Sequence, residues 1–350
     1  MKIKKLIYGL LGTGGILVAC DKIEEGYMSS NIYYVTDPFT VEQGLTTYSE
    51  ALELDNSTGP VNVELLDIRN VETGKTEETW YSESEITFWK EKINSETDTT
   101  WEQVAAKYSM QTYPTFQVNP VGGRLEFSEG TLNVPVGEYE IDIKVSNVKE
   151  TRVIRNACTI ILTESSSFIK EGTYDLWNSS NSDTRPNPVM TYKELKGDDL
   201  EAFKSKLAAA GGEYNEDYGY MILKVLDHYG EAFDWTPNTD ANSGGEIRQR
   251  QSDLGSYEKR SPWQKMYYTS DAMIAPFPMA PFPLINAPTS TDDLSYYRII
   301  PSATTKGVDI WLRFSWFIQR KGVFEITYQL KGADDTGIVQ RIKTEVYEKI

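Results

Sequence analysis

Between Glu138 and Val145 every second residue is apolar: Tyr139, Ile141, Ile143 and Val145 alternate with Glu138, Glu140, Asp142 and Lys144. A period of two suits a strand with one buried and one wet face, and it excludes a helix for this segment. The polar turn Ser146–Thr151, carrying Asn147, leads into a second apolar stretch from Val153 to Leu162, so the pair reads as a hairpin. Val61, Val63 and Leu65 repeat the alternation against Asn62 and Glu64. With 22 tyrosines and turn residues at short intervals, the fold class is expected to be all-β.

A chain of 350 residues is too long for one ordinary core and suits two domains. Residues 33–164 read as a first sandwich. A helical insertion is expected at about 82–108, because Ser82-x-x-Glu85 and Thr99-x-x-Glu102 both fit the capping box. Ile86, Trp89 and Ile93 follow the first at helical spacing, and Trp101, Val104, Ala105 and Tyr108 the second; Trp89 and Trp101 are read as packing against the sandwich. Glu164–Ser167 is the expected boundary, and 170–350 a second sandwich, jelly-roll-like or lectin-like. There, Asp198, Asp199, Leu200 and Glu201 open a helix stopped by Gly211-Gly212. A strand runs from Tyr220 to Asp227, and a polar loop from Thr236 to Ser261. Strands Val308–Gln319 and Val323–Leu330, joined by Arg320-Lys321-Gly322, are expected to pair antiparallel.

The N-terminus predicts the compartment. Three lysines in the first five residues precede an apolar run, Leu6 to Ala19, too short for a membrane span of about 20 residues. This is the pattern of a cleaved secretory signal. Its end, Leu17-Val18-Ala19-Cys20, resembles the lipobox of bacterial lipoproteins, which implies cleavage of residues 1–19, lipid on Cys20, and residues 20–32 as anchor and tether. Without Lys2, Lys4 and Lys5 the 35 basic residues become 32 against 52 acidic, a formal charge of −20 that opposes nucleic-acid binding. Asp21-Lys22-Ile23-Glu24-Glu25 resembles the surface-export signal of Bacteroidetes lipoproteins, implying an outer-membrane protein facing the exterior; a periplasm-facing protein is the alternative. Cys158 is in phase with Ile154, Ile160 and Leu162, and is expected to be a buried thiol.

Gly26–Tyr34, Asp37-Pro38-Phe39, Gly137-Glu138-Tyr139 running into Val145-Ser146-Asn147, and Ala275–Pro283 look like an uncharacterised family of Bacteroidetes surface lipoproteins. That resemblance implies an immunoglobulin-like N-terminal domain followed by a second β-domain. It also implies company with polysaccharide-uptake systems of the SusC/SusD type, where SusE-like lipoproteins hold glycans. It supplies no catalytic residues.

Catalysis has few instruments here. His228 is the only histidine and reads as a turn residue, which leaves neither a serine triad nor an ordinary zinc site. No phosphate loop is present: Gly122-Gly123 and Gly244-Gly245 lack its spacing and lysine. The acid pairs Asp198/Asp199, Asp292/Asp293 and Asp334/Asp335 are the remaining material for a glycoside hydrolase, with loose calcium binding as an alternative for the last two. No enzyme, cofactor or resident metal is expected. Sugar binding needs aromatic faces beside amides and acids. Trp311 between Asp309 and Arg313, on the strand face opposite Ile310 and Leu312, is one candidate. Trp177 near Asn178 and Asn181, and Trp263 with Tyr267 and Tyr268, are candidates expected in loops. The Pro276–Pro283 run is expected to be extended and to cross a sheet edge. The leading expectation is a non-catalytic glycan-binding surface lipoprotein; the alternatives are a structural or adhesive protein with protein partners, then a hydrolase.

Overall fold

A computed structural model describes residues 26–94, 96–165, 169–170, 174–178, 181–184, 189–227, 229–237, 245–249, 256–284, 295–303, 310–314 and 317–330, with backbone alone for the strands within 169–184 and for Phe314. The chain is all-β, with short helices. Among the described residues no helix is long and apolar enough to cross a membrane.

In the N-terminal half the strands are β1 (Phe39–Glu42), β2 (Thr47–Tyr48), β3 (Asn62–Asn70), β4 (Glu83–Trp89), β5 (Tyr108–Pro114), β6 (Phe116–Val118), β7 (Leu125–Phe127), β8 (Gly137–Ser146) and β9 (Thr151–Thr163). They form sheets ordered β1-β9-β8-β3 and β2-β7-β6 plus a separate β4-β5 pair, with β1 parallel to β9. The period of two on β8 works as expected: Tyr139, Ile141, Ile143 and Val145 are all fully buried. They meet Phe116, Leu125 and Phe127 of the facing sheet, with Cys158 in the same core. The strand neighbours match an immunoglobulin-like sandwich, and Tyr139 Oη donates to the Pro135 carbonyl at 2.6 Å, the tyrosine-corner bond of that fold. Trp80 fills the centre, edge-on to Phe116, Phe127 and Tyr139.

One member of the wet face departs from the alternation. Asp142, expected outside, is 1% exposed. The pairing jumps from Ile141↔Cys158 to Ile143↔Ile154, so β9 bulges opposite it, with Asn156 at φ 50°. The bulge turns the Asn156 N–H onto Asp142 at 2.9 Å, while Arg69 (3.0 Å) and Arg155 neutralise the carboxylate.

The expected helical insertion is mostly strand. Ser82 starts no helix: Glu83–Trp89 pairs residue for residue with Tyr108–Pro114. The available partner overrides the local capping pattern. Among the described residues the only helix there is α1 (Trp101–Ala105), and its capping box joins Thr100 to Gln103, one residue beyond the sequence expectation. Trp89, Trp101 and Tyr108 pack around Ile93 and Val104, and this cluster includes Met279, Leu284 and Trp263 from the C-terminal half. The hairpin therefore reaches across to that half.

The C-terminal half contains β10 (Ile169–Lys170), β11 (Tyr174–Asn178), β12 (Asn181–Thr184), β13 (Val189–Glu194), α2 (Gly197–Ala209), β14 (Gly219–Leu226), β15 (Ile247–Gln249), α3 (Tyr257–Arg260), β16 (Tyr267–Tyr268), β17 (Met273–Phe277), β18 (Ser295–Ile299), β19 (Ile310–Phe314), β20 (Phe317–Ile318) and β21 (Val323–Gln329). Two five-stranded sheets, β12-β11-β19-β18-β15 and β13-β21-β14-β17-β16, enclose one core. On the outer face of the second sheet, Phe203 and Leu207 of α2 cover Tyr220, Ile222, Ile274 and Val323. Asp198 and Asp199 occupy the first turn of α2, where carboxylates favour the helix dipole.

Two expectations are corrected here. The last two long strands are not a hairpin: β19 pairs with β11 and β18, β20 with β10, and β21 with β13 and β14. β19 and β21 find their partners in different five-stranded sheets, and β20 pairs over two residues apart from both. Only the start of the Pro-Phe run is extended: Pro276 and Phe277 end β17, on the flank that β16 leaves without a partner among the described residues, whereas 278–281 bend and bring Phe282 into a bridge with Ile318, where its buried ring stacks on buried Phe277 at 4.9 Å. Pro276 is tolerated there for a stated reason. Its partner Tyr220 sends its N–H to Gly322 on the β21 side, so Tyr220↔Pro276 is a non-hydrogen-bonded pair and the proline nitrogen faces the β16 side. β16 pairs only with Met273 and Ile274, so no ladder bond is lost.

Candidate functional site

Where α2 ends, its last turn is closed by Gly211 N–H to the Ala208 carbonyl and Gly212 N–H to the Leu207 carbonyl, both 2.9 Å, with Gly211 at φ +79°. Gly212 has a second requirement: a Cβ there would run into the Leu207 side chain and lie 3.0 Å from Tyr267. Close approach lets the loop Glu213–Tyr218 lie down on the sheet. Buried Tyr220 pins it, its hydroxyl accepting the Asn215 N–H at 2.7 Å and facing the Glu213 carbonyl at 3.4 Å. Burial raises the Tyr220 phenol, with smaller contributions from neighbouring tyrosines, so the hydroxyl stays protonated. A turn closed by Tyr218 N–H to the Asn215 carbonyl at 3.1 Å then sets Tyr218 beside the same surface.

The result is a cleft of 720 Å³ lined by Lys204, Glu213, Tyr214, Asn215, Glu216, Tyr218, Tyr220, Tyr267 and Pro276. Its size falls in the range of ordinary ligand sites. Tyr214 stacks on Tyr220 (5.3 Å, 20° between planes), meets Phe203 edge-on, and carries the Lys204 ammonium 4.8 Å above its ring. Tyr214, Tyr218 and Tyr267 are half-buried, whereas Glu213, Asn215 and Glu216 are exposed. Rigid aromatic surface thus lies beside carboxylates, an amide and an ammonium that exchange hydrogen bonds with water. The Tyr108 phenol, at the end of the β4–β5 ladder, is raised by burial first and by Tyr218 of the cleft second.

The structure distributes the sequence candidates over several places. Tyr267 is in the cleft, but Tyr268, one residue on along β16, belongs to the inner face and donates to Glu258. Both lie on a strand, as does Trp177 on β11, so none of the three is a loop residue. Trp263 packs into the junction cluster with Met279 and Leu284. Trp311 and Arg313 are half-buried on β19, opposite in phase to core Ile310 and Leu312, and burial lowers the Arg313 guanidinium. Trp177 occupies the register position opposite Trp311, which unites two candidates far apart in sequence. Cys20, Asp309, His228, Asp292, Asp293, Asp334 and Asp335 lie outside the described residues. Tyr214 and Tyr218 escaped the sequence reading, and Tyr220 entered it only as the start of a strand. Among the described residues no three of His, Cys, Asp and Glu converge as metal ligands.

No protein-family model and no curated protein matches the chain. Among solved structures it is similar to a SusE-like, surface-located polysaccharide-binding protein from the heparin utilisation locus of Bacteroides thetaiotaomicron, at a TM-score of 0.24 and 9% identity, covering 86% of this chain and 54% of that one. The chain therefore spans about half the length of that protein, and a likeness this slight positions no residue.

Proposed function

We propose that this chain is a non-catalytic glycan-binding lipoprotein whose site is the tyrosine cleft beside α2. The observation that carries the reading is the cleft itself: three half-buried tyrosine rings facing solvent-exposed Glu213, Asn215 and Glu216. The apolar C–H faces of a pyranose suit such rings, and its hydroxyls suit the polar rim. Hydrolysis is disfavoured by the same geometry. A general acid is ordinarily sheltered in an apolar or like-charged pocket, and both glutamates of the cleft are exposed. Lipid on Cys20, residence on the outer membrane facing the exterior, and work beside SusC/SusD-type proteins complete the proposal, supported by the N-terminal pattern and the family resemblance. So does an organisation into residues 33–164 and 170–350, with Tyr108 of the first unit near Tyr218 of the cleft.

Affinity-gel retardation against a broad polysaccharide panel tests it. Retention on at least one polysaccharide, lost in Tyr214→Ala and Tyr218→Ala and kept in Trp311→Ala, is the expected result. Retention lost only in Trp311→Ala would transfer the site to the β11–β19 face. A second reading, contact with protein partners, draws on the β4–β5 hairpin, which pairs with no further strand among the described residues and exposes Phe88 (52%) and Met110 (45%). Retention on no polysaccharide would favour it.

A further inference from the structure

β9 runs for 13 residues, Thr151–Thr163, but its outer neighbour β1 pairs with it only over Ile160–Thr163. From Thr151 to Thr159 the side of β9 turned away from β8 has no strand partner among the described residues. The chain that runs past this edge, residues 29–33, directs its bonds elsewhere. Ser29 N–H donates to Ser57 Oγ at 2.9 Å and Ser29 Oγ to Asp55 at 2.6 Å, while Tyr33 exchanges backbone bonds with Glu53 at 3.1 and 2.9 Å. A groove of 590 Å³ is left, with Ser29, Ser30 and Ile32 on one side and Arg152–Arg155 on the other. Successive residues of a strand point to opposite faces, so a groove that touches four in a row follows the strand's edge. Lys149 packs on Gly26 near one end, and Asp37 accepts the Thr159 N–H at 2.8 Å beyond the other.

The edge offers unused backbone groups. Asn147 N–H donates to the Glu150 carbonyl at 2.9 Å, which makes Val145↔Arg152 and Ile143↔Ile154 the bonded pairs and Lys144↔Val153 the unbonded one. The N–H and C=O of Val153 therefore face the groove, and Val153 is 49% exposed. The groove also has a sign. No acid lines it, in a chain whose formal charge is −17. Arg152 meets Glu150 at 3.6 Å, and Arg155 uses one terminal nitrogen on buried Asp142. The other donors of both forks meet no acceptor among the described residues.

We propose that this groove receives an extended acidic peptide of a partner protein as an added strand on β9. Strand addition draws affinity from main-chain bonds and specificity from the side chains along the edge. Here the main-chain groups of Val153 supply the first. Arg152 and Arg155 supply the second, because a guanidinium fork binds a carboxylate through two parallel bonds. Ile32, Val153 and Ile154 give the alternate, apolar side chains of such a peptide a surface to rest on. A second copy of this chain is disfavoured, since its β9 edge would bring the same arginines against these, and like charges set opposite each other repel. Charges on an open edge commonly deter pairing. Of this sign they deter basic strands and self-pairing while admitting acidic ones. The groove shares no residue with the tyrosine cleft, so the proposal stands apart from glycan binding.

The test titrates synthetic peptides of alternating valine and glutamate into the full-length chain, with lysine replacing glutamate in the control, and reads amide hydrogen exchange. The acidic peptide should slow exchange within residues 151–156, and the lysine peptide should not. Arg152→Glu, outside the Asp142 network, should weaken the acidic peptide about tenfold and favour the lysine one. Val153→Pro removes the edge N–H without touching the β8 ladder and should abolish the protection. Should that variant fail to fold, an N-methylated acidic peptide, unable to complete the ladder, gives the same readout on the native chain. No protection at β9, equal binding of acidic and lysine peptides, or binding indifferent to Arg152→Glu would overturn the assignment. Protection seen only in Glu24→Gln/Glu25→Gln would also overturn it, by giving the groove to the chain's own acidic segment.

Discussion

Replacing Asp142 by alanine should destabilise the N-terminal sandwich by about 2–3 kcal/mol, although the residue lies outside the tyrosine cleft. The carboxylate is 1% exposed and takes three donors: Arg69 at 3.0 Å, Arg155, and the Asn156 N–H at 2.9 Å. Removing one partner of a fully buried pair costs about 3–5 kcal/mol, because the other charge is stranded. Here the stranding is partial. Arg69 keeps Glu140 at 3.3 Å and Asp67 at 3.7 Å, and the Arg155 side chain is 71% exposed and turns to water. What remains is an unmatched N–H at the bulge and a small cavity, hence the lower figure. Burial alone would raise the Asp142 carboxyl, but the bonds from Arg69, Arg155 and Asn156 outweigh it and the net shift is downward. A lowered folded-state value means the stabilisation is whole above the unfolded carboxyl range, about pH 4, and is lost as pH falls through the folded value. Urea unfolding followed by tryptophan fluorescence should therefore show a steady gap between wild type and Asp142→Ala from pH 7 to 5, narrowing below pH 4. A gap under about 0.5 kcal/mol at pH 7, or one that persists undiminished at pH 3, would refute the network's role.

In the cleft, Tyr214→Ala removes a ring stacked on Tyr220 and should weaken glycan retention about tenfold, with Tm nearly unchanged, as read by gel retardation and calorimetry. Gly212→Val should do similar damage indirectly, by pushing Tyr267 out of line, and would be seen as loss of binding in a folded protein. Cys158 should resist thiol reagents at pH 8 in the native state and react on unfolding, because burial, with Asp37 nearby, pushes its thiol up to about 12; prompt native labelling would contradict the packing. Trp101→Ala should loosen the junction cluster, giving earlier protease cleavage within residues 90–107 and weaker glycan binding if Tyr108 steadies the cleft's flank.

How far the sequence could be read depended on whether the deciding contacts were local. Tyr139 to Val145 showed its buried face because the period is written in consecutive residues, and α2 showed its start at Asp198 and its stop at Gly211 for the same reason. Ser82-x-x-Glu85 misled because a capping pattern also fits a strand when a partner such as Tyr108–Pro114 is available. The separation of β19 from β21 was illegible, since which sheet receives each strand is settled by pairing with β11, β14 and β18 far along the chain. Asp142 looked wet because a bulge on another strand buries it. The cleft was within reach: Glu213-Tyr214-Asn215-Glu216-Asp217-Tyr218, just past a helix stop, meets the same rule of aromatic residues among amides and acids that selected Trp263. Only Tyr267 was picked, because tryptophan drew attention away from tyrosine.

The proline within β17 has a bearing on life in a crowded setting. The outer side of β13, at one edge of the sheet, has no strand partner among the described residues, and beyond the two residues of β16 neither has the flank of β17 at the other. Pro276 presents no N–H there, and its side chain forms part of the cleft floor. A strand approaching that flank would lose a rung, so the sheet resists growth by recruitment of neighbouring chains on this side. Pro276→Val would restore the donor, and with it a route to edge-to-edge self-association that the native sequence closes.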